Sequence, residues 1–210
     1  MIAIDRKREL KQLYSPSAKE FSIVQIPEMS FLMVDGAGNP NTAPAFAQAV
    51  ETLFGVAYAL KFMLKKGPLA LDVPVMPLEG LWWAEDMAAF TVVDKDSWQW
   101  TLMIAQPPEV SRDMYQQALA QTAKKKPELP LAGLRLERFA EGLSVQIMHV
   151  GPFAAEAPTI ARMHEFIEQQ GYRPSGKHHE IYLSDMRRTA PEKLKTVIRQ
   201  PIEHARREGR

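Results

Sequence analysis

Glu79-Gly80-Leu81-Trp82-Trp83-Ala84-Glu85-Asp86, followed by a strand that closes on Gln106-Pro107, is answered later in the chain by Glu180-Ile181-Tyr182-Leu183-Ser184-Asp185 and a strand that closes on Gln200-Pro201. Each stretch opens on an acid, runs through aromatic and apolar residues, and stops at Asp, the pattern of a short strand with turn residues behind it. The matching order predicts an internal duplication, and duplicated units commonly pack about a pseudo-twofold axis.

The residues before each stretch extend the match. In the first half, Ser22 to Val34 is β-rich and Asp35-Gly36-Ala37-Gly38-Asn39-Pro40 breaks it. Thr42 is the expected N-cap and Pro44 sits in the first turn. Phe46, Val50, Leu53, Ala57, Leu60 and Leu64 then recur at helical spacing until Gly67, with a bend expected at Gly55. A loop with Pro68, Pro74 and Pro77 leads to Glu79, and Trp98 to Ala105 is a further strand. In the second half, Leu143 to His149 is a strand and Gly151-Pro152 a turn. Glu156 to Gln170 is a helix with Ile160, Met163 and Ile167 on one face and Gly171 as its C-cap, and Leu194 to Arg199 is the last strand. Glu109 to Lys126 connects the halves as a helix ended by Pro127-Glu128-Leu129-Pro130.

The reading is one α+β domain over 1–210 with an antiparallel sheet. It comprises an N-terminal arm (1–20), a first strand-helix-strand-strand repeat (21–107), a connecting helix (108–130) and a second repeat (131–210).

Composition excludes several classes. The chain has 210 residues, 46% hydrophobic and 24% charged, enough to bury a sizeable core. A formal charge of +1 gives no broad grip on phosphate backbones, and Lys124-Lys125-Lys126 lacks interleaved aromatics, so no nucleic-acid partner is expected. No cysteine is present, which removes disulfides, thiolate nucleophiles and Cys-based metal sites and fits a reducing compartment. Residues 1–20 lack the apolar middle of a signal peptide, and no apolar run is long enough to span a bilayer. A cytoplasmic protein without a membrane partner is expected, and both monomer and homodimer are compatible with the sequence.

Alternate side chains of a strand share a face, so Glu79, Leu81, Trp83 and Glu85 point one way, as do Glu180, Tyr182 and Ser184. If those faces meet, carboxylates from both halves come together with large rings, an arrangement that suits flat or cationic ligands. The plainer reading makes the acids solvated strand ends and the tryptophans core. Phe54, Tyr58 and Phe62 recur every four residues on the first long helix, as a second packing face or a ligand wall. Met148, His149 and Phe153, near the end of the second half's first strand, are further lining candidates, and either His178 or His179 could touch a ligand beside Glu180.

Other motifs fail. Gly36-Ala37-Gly38 is no dinucleotide fingerprint, because position 41 is Asn and Pro40 interrupts the helix start. His164-Glu165-Phe166-Ile167-Glu168 carries Glu where a zinc-protease helix needs its second His. No metal site and no cofactor are expected.

Five segments together resemble one family: Tyr14-Ser15-Pro16-Ser17-Ala18-Lys19-Glu20, Phe31-Leu32-Met33-Val34-Asp35-Gly36, Gly55-Val56-Ala57-Tyr58 with Leu60-Lys61-Phe62, Pro77-Leu78-Glu79-Gly80-Leu81-Trp82-Trp83, and His179-Glu180-Ile181-Tyr182-Leu183-Ser184-Asp185. In this order they are similar to the stand-alone GyrI-like small-molecule-binding proteins, over nearly the whole chain. The resemblance implies duplicated SHS2-type modules with a central ligand cleft, the fold that also serves as effector domain in multidrug-responsive regulators. No DNA-binding helix pair precedes it here, so a regulator role is not expected. By motif the family's cleft acid looks like Glu180, with Tyr182 beside it and Trp82 and Trp83 opposite.

Some members are cyclopropanoid hydrolases, which open the strained ring of DNA-alkylating compounds with water, and the sequence looks closer to these. Taken with the strand and helix patterning, the candidate catalytic set is Glu180, Glu79 and Tyr182, and the candidate lining is Trp82, Trp83, Tyr58, Phe54, Phe62, Met148, Phe153 and His179. The implied function is detoxification of flat, hydrophobic or cationic xenobiotics. A non-catalytic binding or sequestering protein fits the same residues.

Overall fold

In chain order the elements are β1 (Ile2–Ala3), α1 (Arg6–Glu9), α2 (Lys11–Tyr14), β2 (Ser22–Ile26), β3 (Met29–Ala37), α3 (Pro44–Lys66), β4 (Leu71–Asp72), β5 (Leu78–Trp83) and β6 (Gln99–Gln106). They continue with α4 (Arg112–Lys125), β7 (Arg135–Phe139), β8 (Gly142–Val150), α5 (Ala157–Gln169), β9 (Tyr172–Pro174), β10 (His178–Tyr182) and β11 (Lys195–His204). The computed structural model describes residues 2–85 and 95–205. Asp86, which the sequence pairs with Asp185, lies outside the described residues. The fold is α+β, and it divides into two compact units. The first holds the chain up to Leu10 with Glu28–Phe139, and the second holds Lys11–Pro27 with the chain from Ala140 on.

The first unit is built on β3, whose Phe31-Leu32-Met33-Val34 run is buried on both faces. β3 pairs antiparallel with β6 and with β7, and β6 pairs with β5, giving the order β5-β6-β3-β7. A parallel pair, β1 with β4, stands apart from this sheet. The apolar stripe of α3 lays Leu53, Val56, Leu60 and Leu64 into the core, each worth about 1.5–3 kcal/mol of burial. Phe46, near the start of α3, stacks on Trp82 (centroids 6.0 Å apart) and meets Trp100 edge-on at 5.4 Å. Gly36 is glycine because the Trp100 ring lies against the β3 backbone: a Cβ there would sit 2.1 Å from the ring.

In the second unit β8 lies between β2 and β11, and β11 carries β10 on its far side, so the order is β2-β8-β11-β10, all antiparallel. β9 pairs with the end of β11. Met163 and Ile167 of α5 close the core over Val145 and Ile147 of β8 and Ile198 and Ile202 of β11.

Several details differ from the sequence reading. The β-rich stretch Ser22 to Val34 is two strands that join different units, with Pro27, which cannot donate to a ladder, in the break between them. α3 is capped at Ala43, with no side chain from Thr42 serving it. It runs through Gly55, which leaves room for Thr122 of α4, 3.4 Å from an added Cβ. β11 does not stop at Gln200-Pro201. Pro201 still stands opposite Ser144 of β8, and β11 then turns to β9 from Ile202 onward. Gln200 Nε2 donates to Ser175 O at 2.7 Å there.

Candidate functional site

Residues directly opposite one another across antiparallel strands point to the same face. Glu180 stands opposite Ile198, and Ile198 opposite Ile147, both of which pack under α5. Glu180 therefore shares the α5 face of the second unit's sheet with His178 and Tyr182, its neighbours two residues either way.

The three side chains form one hydrogen-bonded group. Tyr182 donates its hydroxyl to Glu180 Oε2 at 2.8 Å, and His178 Nε2 lies 3.2 Å from Oε1. The Glu180 side chain is 16% exposed and that of His178 5%. Phe153, from a short turn of helix before α5, meets the Tyr182 ring edge-on at 5.6 Å. Burial opposes the charge on Glu180, yet the His178 imidazole, the Tyr182 hydroxyl and the neighbouring His179 outweigh it and hold the carboxyl below its ordinary value. The result is a partly exposed carboxylate that stays ionised beside two aromatic rings. It can hold a cation, or draw a proton from a water placed on it.

The opposite face of β10 does different work. His179 Nδ1 lies 2.9 Å from Glu141 Oε1, and Arg199 Nη1 donates to Glu141 Oε2 at 3.2 Å. Arg199 also donates to Gln146 Oε1 and to the Leu13 carbonyl (2.8 Å), and Gln146 Nε2 to the Gln12 carbonyl (2.6 Å). The Glu141, His179 and Arg199 side chains are 1–2% exposed. Burial again opposes the Glu141 charge, but His179 and Arg199 together hold its carboxyl below the ordinary range. This network pins α2 to the sheet.

Of the second half's candidates, Glu180, Tyr182 and Phe153 come together. His179 belongs to the buried network instead, and His178 takes the place beside Glu180. The parity of the strand carried that signal, since 178 and 180 share a face and 179 does not. Met148 stands opposite Val197, itself opposite Ile181, on the face away from Glu180.

In the first unit, Glu79 is fully buried on β5, opposite Met103, on the sheet face away from α3. Trp83 shares its parity, is partly exposed, and donates Nε1 to Gln99 Oε1 at 3.1 Å. Trp82 points the other way, 3% exposed, between Phe46 and Trp98. On α3, Phe54 and Tyr58 lie with ring centroids 6.3 Å apart, and Tyr58 and Phe62 are each about half exposed, outside the core stripe. Among the described residues no cluster of acids and histidines is arranged for a metal ion, and no helix is long and apolar enough to cross a membrane.

Comparison with known proteins adds to this geometry. Residues 19–203 match the family of GyrI-like small molecule binding domains. An uncharacterized conserved protein from Listeria innocua is similar at 44% identity and a TM-score of 0.88, over 95% of this chain and 100% of its own. A hydrolase from Listeria innocua is similar at 42% identity and a TM-score of 0.86, over 96% and 100%. The C-terminal domain of EcmrR shares the fold at 12% identity and a TM-score of 0.52, over 89% and 98%. No curated protein matches.

Proposed function

The chain belongs to the GyrI-like small-molecule-binding family, and from that premise we propose that Glu180 is its working acid. In this reading a flat, hydrophobic or cationic organic molecule lies on Tyr182 and Phe153, with the Glu180 carboxylate as its counter-charge. The observation that carries it is the double hold on that carboxylate, one oxygen on His178 and the other on Tyr182.

The reaction we propose is hydrolysis of a cyclopropane ring conjugated to a carbonyl, as in a genotoxin to be detoxified. Water oxygen bonds to the ring carbon, the strained carbon–carbon bond breaks, and its electron pair passes into the conjugated carbonyl, which is protonated to a hydroxyl. The proton lost by water goes to Glu180, which returns it to solvent, and solvent supplies the proton that the carbonyl oxygen takes up, so that one water is consumed per ring opened. A strained electrophile needs little help, so a positioned base worth about 10²–10⁴-fold together with orientation is enough. The likeness to a hydrolase supports the hydrolytic part of this reading and says nothing of the substrate. Glu79, the second carboxylate offered by the sequence, lies in the other unit and is assigned no step.

One observation favours a binder instead. A carboxylate with one oxygen on His178 and the other on Tyr182 is a better counter-ion than base, which suits sequestration without turnover. Incubation with a cyclopropane-bearing duocarmycin-type compound separates the two, ring opening being followed by chromatography and mass for the wild type and Glu180→Gln.

The same reading includes the duplication. The strand orders β7-β3-β6-β5 and β2-β8-β11-β10 put corresponding strands in corresponding places, with α3 and α5 each following the second strand of its order. This supports two copies of one strand-helix-strand-strand module within a single domain.

A further inference from the structure

Beyond Glu180 the same face of the second unit carries another polar row. Tyr182 stands opposite Thr196, and Thr196 opposite His149, so side chains from β10, β11 and β8 line up across the sheet. Thr196 is 1% and His149 9% exposed. His149 Nδ1 lies 3.4 Å from Thr159 Oγ1 of α5. Thr196 Oγ1 and His149 Nε2 are buried and have no hydrogen-bond partner among the described residues. A buried polar atom in that condition costs about 1–3 kcal/mol, and here two of them stand on adjacent strands. Gly151 (φ +143°) abuts the imidazole, where an added Cβ would lie 3.2 Å from Nε2. Any side chain at position 151 would press on that nitrogen.

We propose that Thr196 Oγ1 and His149 Nε2 form a hydroxyl-binding subsite for the molecule held at Glu180. The inference rests on the Glu180 ligand site and extends it. A threonine hydroxyl donates or accepts, and imidazole Nε2 does one or the other according to tautomer, so the matching partner is a group that does both, an alcohol or phenol hydroxyl. Tyr182 and Phe153, both partly exposed, supply the apolar surface between the two ends. One strand spacing across and two residues along put Thr196 about 8 Å from Glu180 at the backbone. The subsite therefore selects an aromatic ligand with a cationic or electrophilic end and a hydroxyl at the other.

The test is calorimetric titration with two probes, 4-(hydroxymethyl)benzyltrimethylammonium and 4-methylbenzyltrimethylammonium, which differ only in the hydroxyl. The wild type is expected to prefer the hydroxymethyl probe about tenfold, or about 1.4 kcal/mol. Thr196→Val, close to isosteric and so expected to fold, abolishes the preference, whereas Thr196→Ser retains it. Glu180→Gln weakens both probes alike. If the methyl probe binds and the wild type shows no preference, the subsite is overturned while the Glu180 site stands. If Thr196→Val changes stability but not the preference, the two atoms hold structural water only and the subsite is again overturned. If neither probe binds, both readings fall.

Discussion

Tyr182 and Glu180, two residues apart on one face of β10, are joined by a hydrogen bond of 2.8 Å from the phenol to the carboxylate. Bonds of this charge-assisted kind are worth about twice neutral ones. Tyr182→Phe keeps the ring against Phe153 but removes the donor. The Glu180 carboxyl is expected to move up toward its ordinary value, read by carbon-13 titration of the side chain. Cationic probes should bind about three- to tenfold more weakly. An unchanged Glu180 titration would show that the phenol does not hold the carboxylate in solution.

Glu141 ties the stability of the second unit to pH. Its folded value lies below the unfolded one, so its contribution to stability is full above the unfolded value and is lost as pH falls through the folded value. Glu141→Gln leaves the Arg199 charge buried without its counter-ion and is expected to cost about 3–5 kcal/mol. Denaturant titration at neutral pH checks the loss. Repeated at decreasing pH, it should show the gap between wild type and variant closing in acid.

Gly36 and Gly133 make a paired test of the Trp100 packing. Gly36→Ala drives a methyl into the Trp100 ring, a clash expected to cost about 1–3 kcal/mol or more. Gly133, whose added Cβ meets nothing within 4 Å, is the control, and Gly133→Ala should be close to neutral. Equal thermal midpoints for the two variants would contradict the packing.

Trp82 and Trp83 are neighbours with opposite roles. Trp82→Ala empties the space between Phe46 and Trp98 and is expected to cost about 3–5 kcal/mol. Trp83→Ala, at a partly exposed position, should cost far less. Chemical denaturation of the two variants distinguishes them.

Much of this was legible in the sequence, for physical reasons that also explain the rest. The 3.6-residue stripe of α3 and the alternation in β10 are local signals, and they placed Leu53, Leu60, Glu180 and Tyr182 correctly relative to their neighbours. Pairing is not local. That β2 joins β8 while β3, three residues on, joins β6 and β7 depends on residues some sixty to more than a hundred positions away, and only Pro27 hinted at the break. His178 was readable from parity alone. Glu141, Thr196 and Thr159 carried no motif, since what marks them is burial beside a partner on another strand or helix.

The most direct test of the central claim is turnover of the cyclopropane-bearing duocarmycin-type compound by the wild type and Glu180→Gln, with binding followed in parallel by tryptophan fluorescence. A water adduct is expected from the wild type, with a rate lower by about 10² or more in the variant and binding retained by both. Equal turnover by the two proteins would remove Glu180 from the chemistry. Binding by the wild type with no adduct would contradict hydrolysis and leave a protein that only holds its ligand.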